Sequence, residues 1–550
     1  MELLRELTRI QHEQGYLSDE VLRDLAALRG VPLYRLEGLA SFYPLFRRTP
    51  APKTVIQVCR DISCLMAGGD GCRRKLMDEL SSNDDVLVEE VSCLGRCDAA
   101  PAAAINETPL APDTLADPEP VMEWIRSGPA PTGKPTGTKL KCQCDPYGTA
   151  ADHYSTVGSL LAPENFKAGD AAGQREALGK QCIEQLNESR LRGMGGAGFP
   201  TGRKWELVAS EAAQPKYVIC NADESEPGTF KDRFILTNLP HLVVEGMLLA
   251  GLTIGAERGI IYLRHEYEPE KHSLELALKQ ARQIGVLGDN AAGSGQRFEI
   301  EIFVSPGGYI LGEETALLEA LEDKRGEPRN KPPYPGTHGL WGKPTLINNV
   351  ETFALATSIV HFGSQWWHDQ GCGECSGIKF FSISGDIARP GVYEIPIGTP
   401  VSRLIEMAGG MKQNKSLKAF LPGGASSNFL TPDHVHTPLD FEAMKKAGSM
   451  LGTGAVIVIG DDQDLFGLAT NLVQFFRNES CGKCVPCRIG SEQAVQLLNH
   501  VQRGETPPSE LEVLNDLGET LEQTSICGLG QVALNPVLSM MKHFPNDIPG

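Results

Sequence analysis

Four cysteines in the C-terminal part of the chain have the spacing of an iron–sulfur ligand set. Cys481, Cys484 and Cys487 form a C-x2-C-x2-C run, and Cys527 follows forty residues later. Three thiolates in such a run can hold three corners of a [4Fe–4S] cube, and a distant fourth cysteine completes the set. Structural zinc is the alternative, but zinc sites usually take two C-x2-C pairs from separate turns. The spacing therefore favours a [4Fe–4S] cluster.

A second set of four cysteines lies near the N-terminus and has a different spacing. Cys59-x4-Cys64 and Cys93-x3-Cys97 are separated by 28 residues, and each pair follows a strand-like segment closely. Two adjacent loops can then present two thiolates each to two irons, which is what a [2Fe–2S] cluster needs. Free thiols, or zinc at an unusual spacing, remain the alternatives.

The other cysteines show no four-ligand pattern, and the sequence assigns them no role. Cys372-x2-Cys375 has the spacing of a redox dithiol, but it lies in a Gly-rich loop without active-site context, which favours incidental thiols. The remaining five are Cys72, Cys142, Cys144, Cys182 and Cys220.

A glycine-rich loop, RGMGGAGFPTGRKW at residues 192–205, is suited to a flat ring or a phosphate. It satisfies G-x-G-x-x-G, but the segment before it looks helical, whereas a dinucleotide-binding fold places a strand there. Its glycines let the backbone approach a ligand closely, and Lys204 adds a positive charge. A flexible turn is the alternative, which Phe199 and Trp205 at the end of the loop disfavour.

Polar side chains follow in three further segments, the first directly after the strand-like KYVIC. Ligands of α/β sheets bind at the carboxyl ends of strands, so these groups can bond ribityl or ribose hydroxyls. The paired carboxylates alternatively suggest hydrolysis or a solvated helix start, but two Gly-rich loops in one chain favour nucleotide hydroxyls. The candidates are Asn221, Asp223, Glu224, Glu226, Tyr309, Glu313, Glu314, Lys331, Tyr334, Asn348 and Asn349.

The composition excludes some classes of function. With 51 Lys and Arg against 70 Asp and Glu, the net charge is −19, which is poorly suited to nucleic acid. The N-terminus lacks a signal-peptide core, and the longest apolar stretch, 242–256, is short and interrupted by Glu245. The sequence therefore predicts a cytoplasmic protein without direct membrane insertion.

The elements that position these residues divide the chain into several predicted domains. A helical segment at 1–48 precedes a small α/β unit at 51–126 and a linker rich in Gly, Pro, Ser and Thr at 127–149. Residues 150–370 alternate strands, clearest at 217–220, 260–263 and 298–304, with helices, which predicts a mostly parallel sheet. A β-rich domain with one convincing helix follows at 378–460, and a helical domain at 463–550.

The chain resembles two subunits of respiratory complex I. Residues 150–550 resemble its NADH-binding flavoprotein subunit, through RGMGGAGFPTGRKW, NADESEPGTFKD, GEETAL, KPPYPG, LINNVET, ESCGKCVPCRIG and SICGLG. Residues 1–130 resemble its thioredoxin-like [2Fe–2S] subunit, through GYLSDE, ASFYPLF and the two cysteine pairs. Both in one chain look like the diaphorase-type β subunit of soluble NAD-dependent formate dehydrogenases.

The resemblance implies a multidomain α/β fold with a thioredoxin-like [2Fe–2S] domain, a Rossmann-like FMN and NADH domain, a ubiquitin-like (β-grasp) domain at 378–460 and a helical bundle around the [4Fe–4S] cluster. It also implies two ligand sets. The FMN set is Gly193, Gly195, Gly196, Gly198, Lys204, Asn221, Asp223, Glu224, Tyr309, Glu313, Asn348 and Asn349. The nicotinamide nucleotide set is Phe199, Glu226, Glu314, Lys331 and Tyr334, with Lys204 reaching both.

The resemblance further implies a reaction and partners. NAD(H) would exchange a hydride with FMN, so no side chain acts as nucleophile or general base. Electrons would come from a catalytic α subunit with a molybdenum or tungsten cofactor and iron–sulfur clusters. The alternatives are the diaphorase of an NAD-reducing hydrogenase and a fused NADH-input module of a complex I-like enzyme. An electron-wire subunit without nucleotide, and a zinc scaffold, are rivals from other classes.

Two departures from the family pattern bear on the choice among these partners. The 28-residue gap between the N-terminal cysteine pairs is shorter than in the complex I subunit, and the chain ends soon after Cys527 without a ferredoxin-like extension. Both favour the formate dehydrogenase interpretation.

Overall fold

The structure is a computed structural model that describes residues 1–110, 121, 123, 141–162 and 171–550. Most of the predicted linker, from 127 to 140, lies outside the described residues, as does most of 111–126. In the part described, no single helix has the length and apolarity needed to cross a membrane. The consecutive helices Lys231–Asn238 and Pro240–Ile254 meet that requirement only together, with a bend of 93° between them.

Three short helices form the N-terminal segment and pack on the rest of the protein through leucine-rich faces. They are α1 (Glu2–Gln14), α2 (Asp19–Arg29) and α3 (Leu33–Phe42). Leu4, Leu7 and Leu36 are fully or almost fully buried in a core shared with the central sheet. The predicted helical character of this segment is confirmed.

The next unit, called here the N-terminal cysteine unit, is a small sheet flanked by helices. Its elements are β1 (Thr54–Cys59), α4 (Ile62–Met66), α5 (Gly69–Leu80), β2 (Val86–Val91), β3 (Ala103–Ile105) and β4 (Thr108–Pro109). The strand order is β2-β1-β3-β4, with β1 and β2 parallel. Because parallel strands end at the same edge, the loops that carry the two cysteine pairs are neighbours.

The central unit contains a four-stranded parallel sheet in the order β7-β6-β5-β8. Its elements in chain order are α6 (Ser155–Leu160), α7 (Ala171–Ser189), α8 (Thr201–Ser210), β5 (Tyr217–Ala222), α9 (Lys231–Asn238), α10 (Pro240–Ile254), β6 (Arg258–Leu263), α11 (Glu268–Gln283), β7 (Glu299–Val304), α12 (Glu314–Leu321), α13 (Pro335–His338), β8 (Thr345–Asn349), α14 (Val350–Phe362) and α15 (Ser364–Asp369).

The parallel sheet predicted for this region is confirmed, with one strand more than expected. The strands predicted at 217–220, 260–263 and 298–304 correspond to β5, β6 and β7. The fourth strand, β8, pairs with β5 and was not predicted, because its five residues end in two asparagines that resemble a loop. The carboxyl ends of β5 and β8 therefore lie side by side.

The β-rich unit has a mixed sheet in the order β10-β9-β12-β11. Its elements are β9 (Ile378–Gly385), β10 (Gly391–Pro396), α16 (Val401–Met407), β11 (Leu417–Leu421), α17 (Phe441–Lys446) and β12 (Ala455–Gly460). The expected helix is present as α16, and a second short helix, α17, begins where the side chain of Asp440 accepts hydrogen bonds from two backbone N–H groups.

The C-terminal unit is entirely helical, as predicted. It consists of α18 (Leu465–Glu479), α19 (Val485–Gln502), α20 (Val513–Thr524), α21 (Gly528–Val532) and α22 (Asn535–His543). Helix α18 buries Leu465, Leu468, Leu472 and Phe476 on one face, the four residues that recur at helical spacing.

Two apolar helices, α10 and α14, pack in very close contact. A Cβ atom on Gly246 of α10 would lie 2.2 Å from the backbone oxygen of Phe353 in α14. No neighbour can give way there, because the obstructing atom is backbone. The first turns of α14, which follows directly after Asn349 of β8, are thereby held against α10.

We expect Gly246→Ala to lower the free energy of unfolding by about 1–3 kcal/mol or more, because the added methyl forces the two helix backbones apart. Thermal and denaturant unfolding would measure the loss. Gly158→Ala is the matched control, since Gly158 is an exposed helical glycine with nothing within 4 Å of its ideal Cβ. This control should raise the free energy of unfolding by up to about 1 kcal/mol. Equal effects of both substitutions would contradict the packing argument.

Candidate cofactor and metal sites

The four N-terminal cysteines converge into one buried cluster. The Sγ atoms of Cys93 and Cys97 lie 3.5 Å apart, and the thiol of Cys59 is within hydrogen-bonding reach of both Cys64 and Cys93. Hydrogen bonds with those two thiols raise the pKa of Cys59, and the hydrogen bond from Cys59 helps to lower the pKa of Cys93. Two loops thus bring four thiols together, as a [2Fe–2S] cluster requires.

Backbone N–H groups surround these sulfurs. The N–H groups of Gly95, Ala102 and Gly228 donate to the sulfurs of Cys93, Cys64 and Cys97 at 3.4, 3.3 and 3.3 Å. Hydrogen bonds to ligand sulfurs are a feature of iron–sulfur sites and tune their potentials. The donor set therefore fits the predicted cluster.

The Asp61 carboxylate lies close enough to these thiols to be a candidate metal ligand. This carboxylate and the sulfurs of Cys59 and Cys93 lie within 4.8 Å of one another. However, the carboxylate accepts a hydrogen bond from the Cys93 backbone N–H at 2.6 Å, and burial raises its pKa. Asp61 therefore holds the second cysteine loop in place, which leaves ligation to the thiols.

The second cysteine loop is fixed to the central unit by charged groups. The Arg264 guanidinium donates to the backbone oxygens of Cys93 and Glu224. Arg233 pairs with Asp98 at 2.5 Å. Gly228, whose N–H reaches Cys97, lies two residues after the predicted nucleotide ligand Glu226. The segment 224–228 thus contacts the cysteine cluster directly.

The four C-terminal cysteines lie at the ends of three helices. Cys481 follows α18, Cys484 and Cys487 lie at the start of α19, and Cys527 immediately precedes α21. Burial raises the pKa of Cys527 to about 12, although the N–H groups of two residues that follow it face its sulfur.

The loops that carry these cysteines are in close contact. A Cβ atom on Gly530 would lie 3.1 Å from the Cβ atom of Cys487, so the α21 loop packs directly on α19. Burial raises the pKa of Cys481, and the charges of Cys484 and Cys487 act in the same direction. The Ser480 hydroxyl lies 3.3 Å from the Cys487 sulfur. The arrangement fits a [4Fe–4S] cluster.

The glycine-rich loop runs from the end of helix α7 to the start of α8, so the predicted departure from the usual dinucleotide-binding arrangement is confirmed. The Met194 N–H donates to the Thr352 hydroxyl at 2.9 Å, and a Cβ atom on Gly195 would lie 3.1 Å from that of Asn349. Gly196 and Gly198 have φ angles of 112° and 63°, which favour glycine. The glycines of the loop present backbone beside the start of α14, which fits a flat ring.

Two lysines and two carboxylates lie together beside this loop. Lys331 Nζ is 2.9 Å from both Glu313 and Glu314, and Lys204 Nζ is 3.9 Å from Glu314. Burial tends to raise the pKa of the Glu314 carboxyl, but the charges of Lys204 and Lys331 outweigh it and hold this pKa below its usual value. Phe199 lies under Lys204, with 5.8 Å between Nζ and the ring centre. Opposite charges beside an exposed aromatic ring can bind a nucleotide's phosphates, hydroxyls and ring.

Glu226 and Tyr309 form a second predicted pair. The Tyr309 hydroxyl donates to Glu226 at 2.6 Å, and the other Glu226 oxygen accepts from the Ser426 N–H at 2.7 Å. Burial raises the pKa of Glu226, as does the nearby Cys93 thiolate. Burial likewise raises the pKa of Tyr309, which also feels the charge of Cys527. The Tyr309 N–H also donates to Glu479, two residues before Cys481, at 2.8 Å, so this pair contacts the segment that leads to the C-terminal cysteines.

Asn221 and Asp223 connect the ends of β5 and β7. Asn221 donates to the Gly312 oxygen at 2.8 Å, and Asp223 accepts from the hydroxyls of Ser225 and Ser305 at 2.5 and 2.7 Å. Burial raises the pKa of Asp223 to about 6.

Several predicted site residues have hydrogen-bond partners within the protein, among them Asn349, whose side chain accepts from the Glu351 N–H at 3.0 Å. Glu224 and Asn348 are two more. The Glu224 carboxylate accepts from the N–H groups of Asp232 and Arg233, which begin α9. Asn348 accepts from the Trp205 ring at 3.0 Å. These two side chains are committed to protein partners and hold segments of the site in place. Tyr334, in contrast, is 60% exposed at the rim.

A charged group below the loop was not anticipated from the sequence. Glu351 is fully buried and lies 2.9 Å from Lys231 and 2.7 Å from Lys379. Asp232 pairs with Lys231 at 2.6 Å and accepts from Asn349 at 2.5 Å. Burial lowers the pKa of Lys379 to about 8. The sequence signal for this group is a single charged residue in each of two otherwise apolar segments, the strand IKFFSIS and the helix VETFALAT.

The chain matches four protein families along its length. Residues 1–125 match the thioredoxin-like [2Fe–2S] ferredoxins, 186–357 the Nuo51 FMN-binding domain, 380–427 the SLBB domain, and 467–549 the iron–sulfur binding region of NADH-ubiquinone oxidoreductase-F. These matches confirm the predicted multidomain α/β fold class. They also confirm FMN, [2Fe–2S] and [4Fe–4S] as cofactors.

Individual relatives carry related names. The F 2 subunit of NADH-quinone oxidoreductase from Rhizobium meliloti is 43% identical over 392 residues, which cover 70% of this chain and 93% of that protein. The HndC subunit of the NADP-reducing hydrogenase from Solidesulfovibrio fructosivorans is 40% identical over 67% of this chain and 75% of its own length. A chain of an NAD⁺-reducing [NiFe]-hydrogenase, solved in the air-oxidised state, covers 100% of this chain with 93% of its own length, at 31% identity and a TM-score of 0.84.

The buried charges below the loop should behave as one coupled unit. We expect Glu351→Gln to lower the free energy of unfolding by about 3–5 kcal/mol, because it leaves two buried ammonium groups without their shared carboxylate. Adding Lys379→Met should recover part of this loss by removing one unpaired charge. Denaturant unfolding followed by tryptophan fluorescence would measure both effects.

The exposed Lys412 of the same β-rich unit provides the control, and Lys412→Met should change stability little. If Glu351→Gln were equally costly with and without Lys379→Met, the two residues would not be coupled.

Proposed function

This chain belongs to the family of NADH-binding F subunits of NADH-quinone oxidoreductase, and we propose that it reduces NAD⁺ with electrons from a formate dehydrogenase catalytic subunit. At the level of the family, it is an NADH-binding, diaphorase-type flavoprotein subunit of a multi-subunit NAD(H)-dependent oxidoreductase. The identity of its partner is the proposed step. A cytoplasmic location and the domain boundaries predicted from the sequence are part of the same proposal.

Within the proposal, Cys59, Cys64, Cys93 and Cys97 hold the [2Fe–2S] cluster and Cys481, Cys484, Cys487 and Cys527 hold the [4Fe–4S] cluster. The glycine loop, Lys204 and the polar groups at the ends of β5 and β8 hold FMN. When bound, FMN would supply hydride exchange with the nicotinamide and one-electron exchange with the clusters. The protein orients the reactants and excludes water, and no side chain acts as nucleophile or general base.

The nucleotide site is proposed on the open side of the loop. Phe199 and Tyr334 offer exposed aromatic rings, and Lys331 offers an ammonium group to the phosphates. In the proposal, Glu314 accepts a hydrogen bond from a ribose hydroxyl, and Glu226, which already accepts from Tyr309 and Ser426, offers its remaining lone pairs to another. A 2′-phosphate in the same place would meet a carboxylate and be repelled.

One observation carries the electron-transfer part of the proposal. Gly228, two residues after Glu226, donates to the Cys97 sulfur, and the Tyr309 N–H donates to Glu479, two residues before Cys481. The Glu226–Tyr309 hydrogen bond therefore joins segments that lead to both cysteine sets. Both residues also belong to the proposed ligand sets. A flavin and nucleotide bound there would lie near the segments that carry both clusters.

The formate partner rests on a sequence feature, namely the short gap of 28 residues between the N-terminal cysteine pairs. The fusion of both units in one chain does not distinguish the candidates, because one hydrogenase chain aligns with the full length of this one. The diaphorase of an NAD-reducing hydrogenase is therefore the second candidate. A fused NADH-input module of a complex I-like enzyme is the third.

Substitution at Glu314 should change the choice of nucleotide. We expect the wild type to prefer NADH, and Glu314→Gln to raise the kcat/KM ratio of NADPH to NADH by about tenfold or more, since a carboxylate no longer repels the 2′-phosphate. Ferricyanide reduction with each nucleotide would measure the ratio. Glu206→Gln, at an exposed position on α8, is the control and should leave it unchanged. Equal rates of the wild type with NADH and NADPH would contradict the assignment.

The partner can be identified by isolating the native complex under anaerobic conditions. We expect molybdenum or tungsten in the complex and formate-dependent formation of NADH. Nickel together with H₂-dependent NAD⁺ reduction would overturn the formate assignment and establish the hydrogenase alternative, leaving the cofactor sites unaffected. Metal analysis and the two substrate assays on one preparation separate these outcomes.

A further inference from the structure

One cysteine pair outside both cluster sites has the backbone geometry of a disulfide. Cys372 and Cys375 lie in the segment between α15 and β9, and the Cys375 N–H donates to the Cys372 oxygen at 3.2 Å. This bond closes a β-turn with Gly373 in the left-handed region at φ 66°. The first and fourth Cα atoms of a β-turn lie within about 7 Å, and disulfides join Cα atoms about 4.4–6.8 Å apart. The turn therefore holds the two cysteines at a bridgeable separation.

Neighbouring glycines hold this turn in a fixed position. The Cys372 N–H donates to the Ile397 oxygen at 2.9 Å. A Cβ atom on Gly398 would lie 2.5 Å from the Cys372 oxygen and 3.0 Å from the Cys375 sulfur, and one on Gly371 would lie 1.8 Å from the Cys375 oxygen. Both approaches are possible only because these neighbours lack side chains. The turn is thus packed closely into the junction between the central and β-rich units.

The two thiols differ in accessibility. Cys372 is exposed, whereas Cys375 is partly buried and its thiol contacts the Asp440 carboxylate. Burial raises the pKa of Cys375, as does the charge of Asp440. An exposed first cysteine and a shielded second one are suited to stepwise thiol–disulfide exchange, in which the exposed thiol reacts first.

We propose that Cys372 and Cys375 form a reversible intramolecular disulfide, a redox modification site separate from the electron-transfer chain. The Cys372 thiolate attacks one sulfur of a low-molecular-weight disulfide, and one small thiolate leaves. The Cys375 thiolate then attacks the Cys372 sulfur, the mixed disulfide breaks, and the second small thiolate leaves. In balance, two protein thiols are oxidised to a disulfide, one small disulfide is reduced to two thiols, and two protons accompany the two electrons.

The test uses the holoenzyme in anaerobic glutathione buffers, from fully reduced to mostly glutathione disulfide. After acid quenching, free thiols are alkylated under denaturing conditions and the protein is digested with trypsin. Because Lys331 and Lys343 each precede proline, the fragment spans residues 330–379, in which Cys372 and Cys375 are the only cysteines. In the oxidised buffers we expect this fragment to carry no alkyl groups and to be two hydrogens lighter than the dithiol. After reduction with dithiothreitol and renewed alkylation, it should carry two alkyl groups. Cys72, partly exposed and without a neighbouring cysteine in sequence, should remain alkylated.

Two variants separate ring closure from other thiol chemistry. Cys375→Ser should leave Cys372 as a stable glutathione adduct, and Cys372→Ser should leave Cys375 fully alkylated, with FMN absorbance showing that both variants are folded. A wild-type fragment that carries both alkyl groups at every glutathione ratio, or a single adduct without ring closure, would overturn the proposal. The mass readout is independent of the proposed function, so failure of one leaves the other standing.

Discussion

The removal of the Glu351 carboxylate from water is the constraint around which the proposed flavin site is organised. A buried carboxylate is tolerated only when cationic or hydrogen-bonding partners replace its hydration. Lys231 comes from α9, Lys379 from β9, and Glu351 itself from α14. Three segments distant in sequence must therefore meet at one point, directly under the turn at Asn349 on which the glycine loop rests.

The segment 224–228 connects the flavin unit to the N-terminal cysteine cluster. Glu224 holds the start of α9, Arg264 binds backbone oxygens on both sides of the junction, and the N–H of Gly228 reaches a cluster sulfur. A shift of this segment would change the proposed nucleotide contact at Glu226 and the environment of Cys97 together. The position of Glu226 relative to Cys97 is thus set by short-range bonds within a few residues, rather than by the overall packing of two separate domains.

The sequence was informative where chemistry imposes spacing. The cysteine runs predict ligand sets because sulfur geometry limits the possible intervals, and the polar groups after β5 are predicted to meet because parallel strands end at a common edge. It was less informative where tertiary contacts decide the outcome. β8 resembles a loop until β5 pairs with it, and Lys379 resembles a surface charge until Glu351 faces it. Glu224 and Asn348 carry suitable polar groups, yet only the folded chain shows that protein partners already occupy them. The family follows from motifs along the whole chain, whereas the choice of formate as the electron source rests on one interval, the gap between the N-terminal cysteine pairs.

The position of Lys379 affects how this architecture can be divided. By element order and sheet topology, the β-rich unit has the form of a self-contained module with its own sheet. Yet its first strand supplies one of the two ammonium groups that neutralise Glu351 in the preceding unit. A recombination boundary between α15 and β9 would therefore separate a buried acid from its base, although it would cut no strand or helix. A chimera should therefore exchange these two units together.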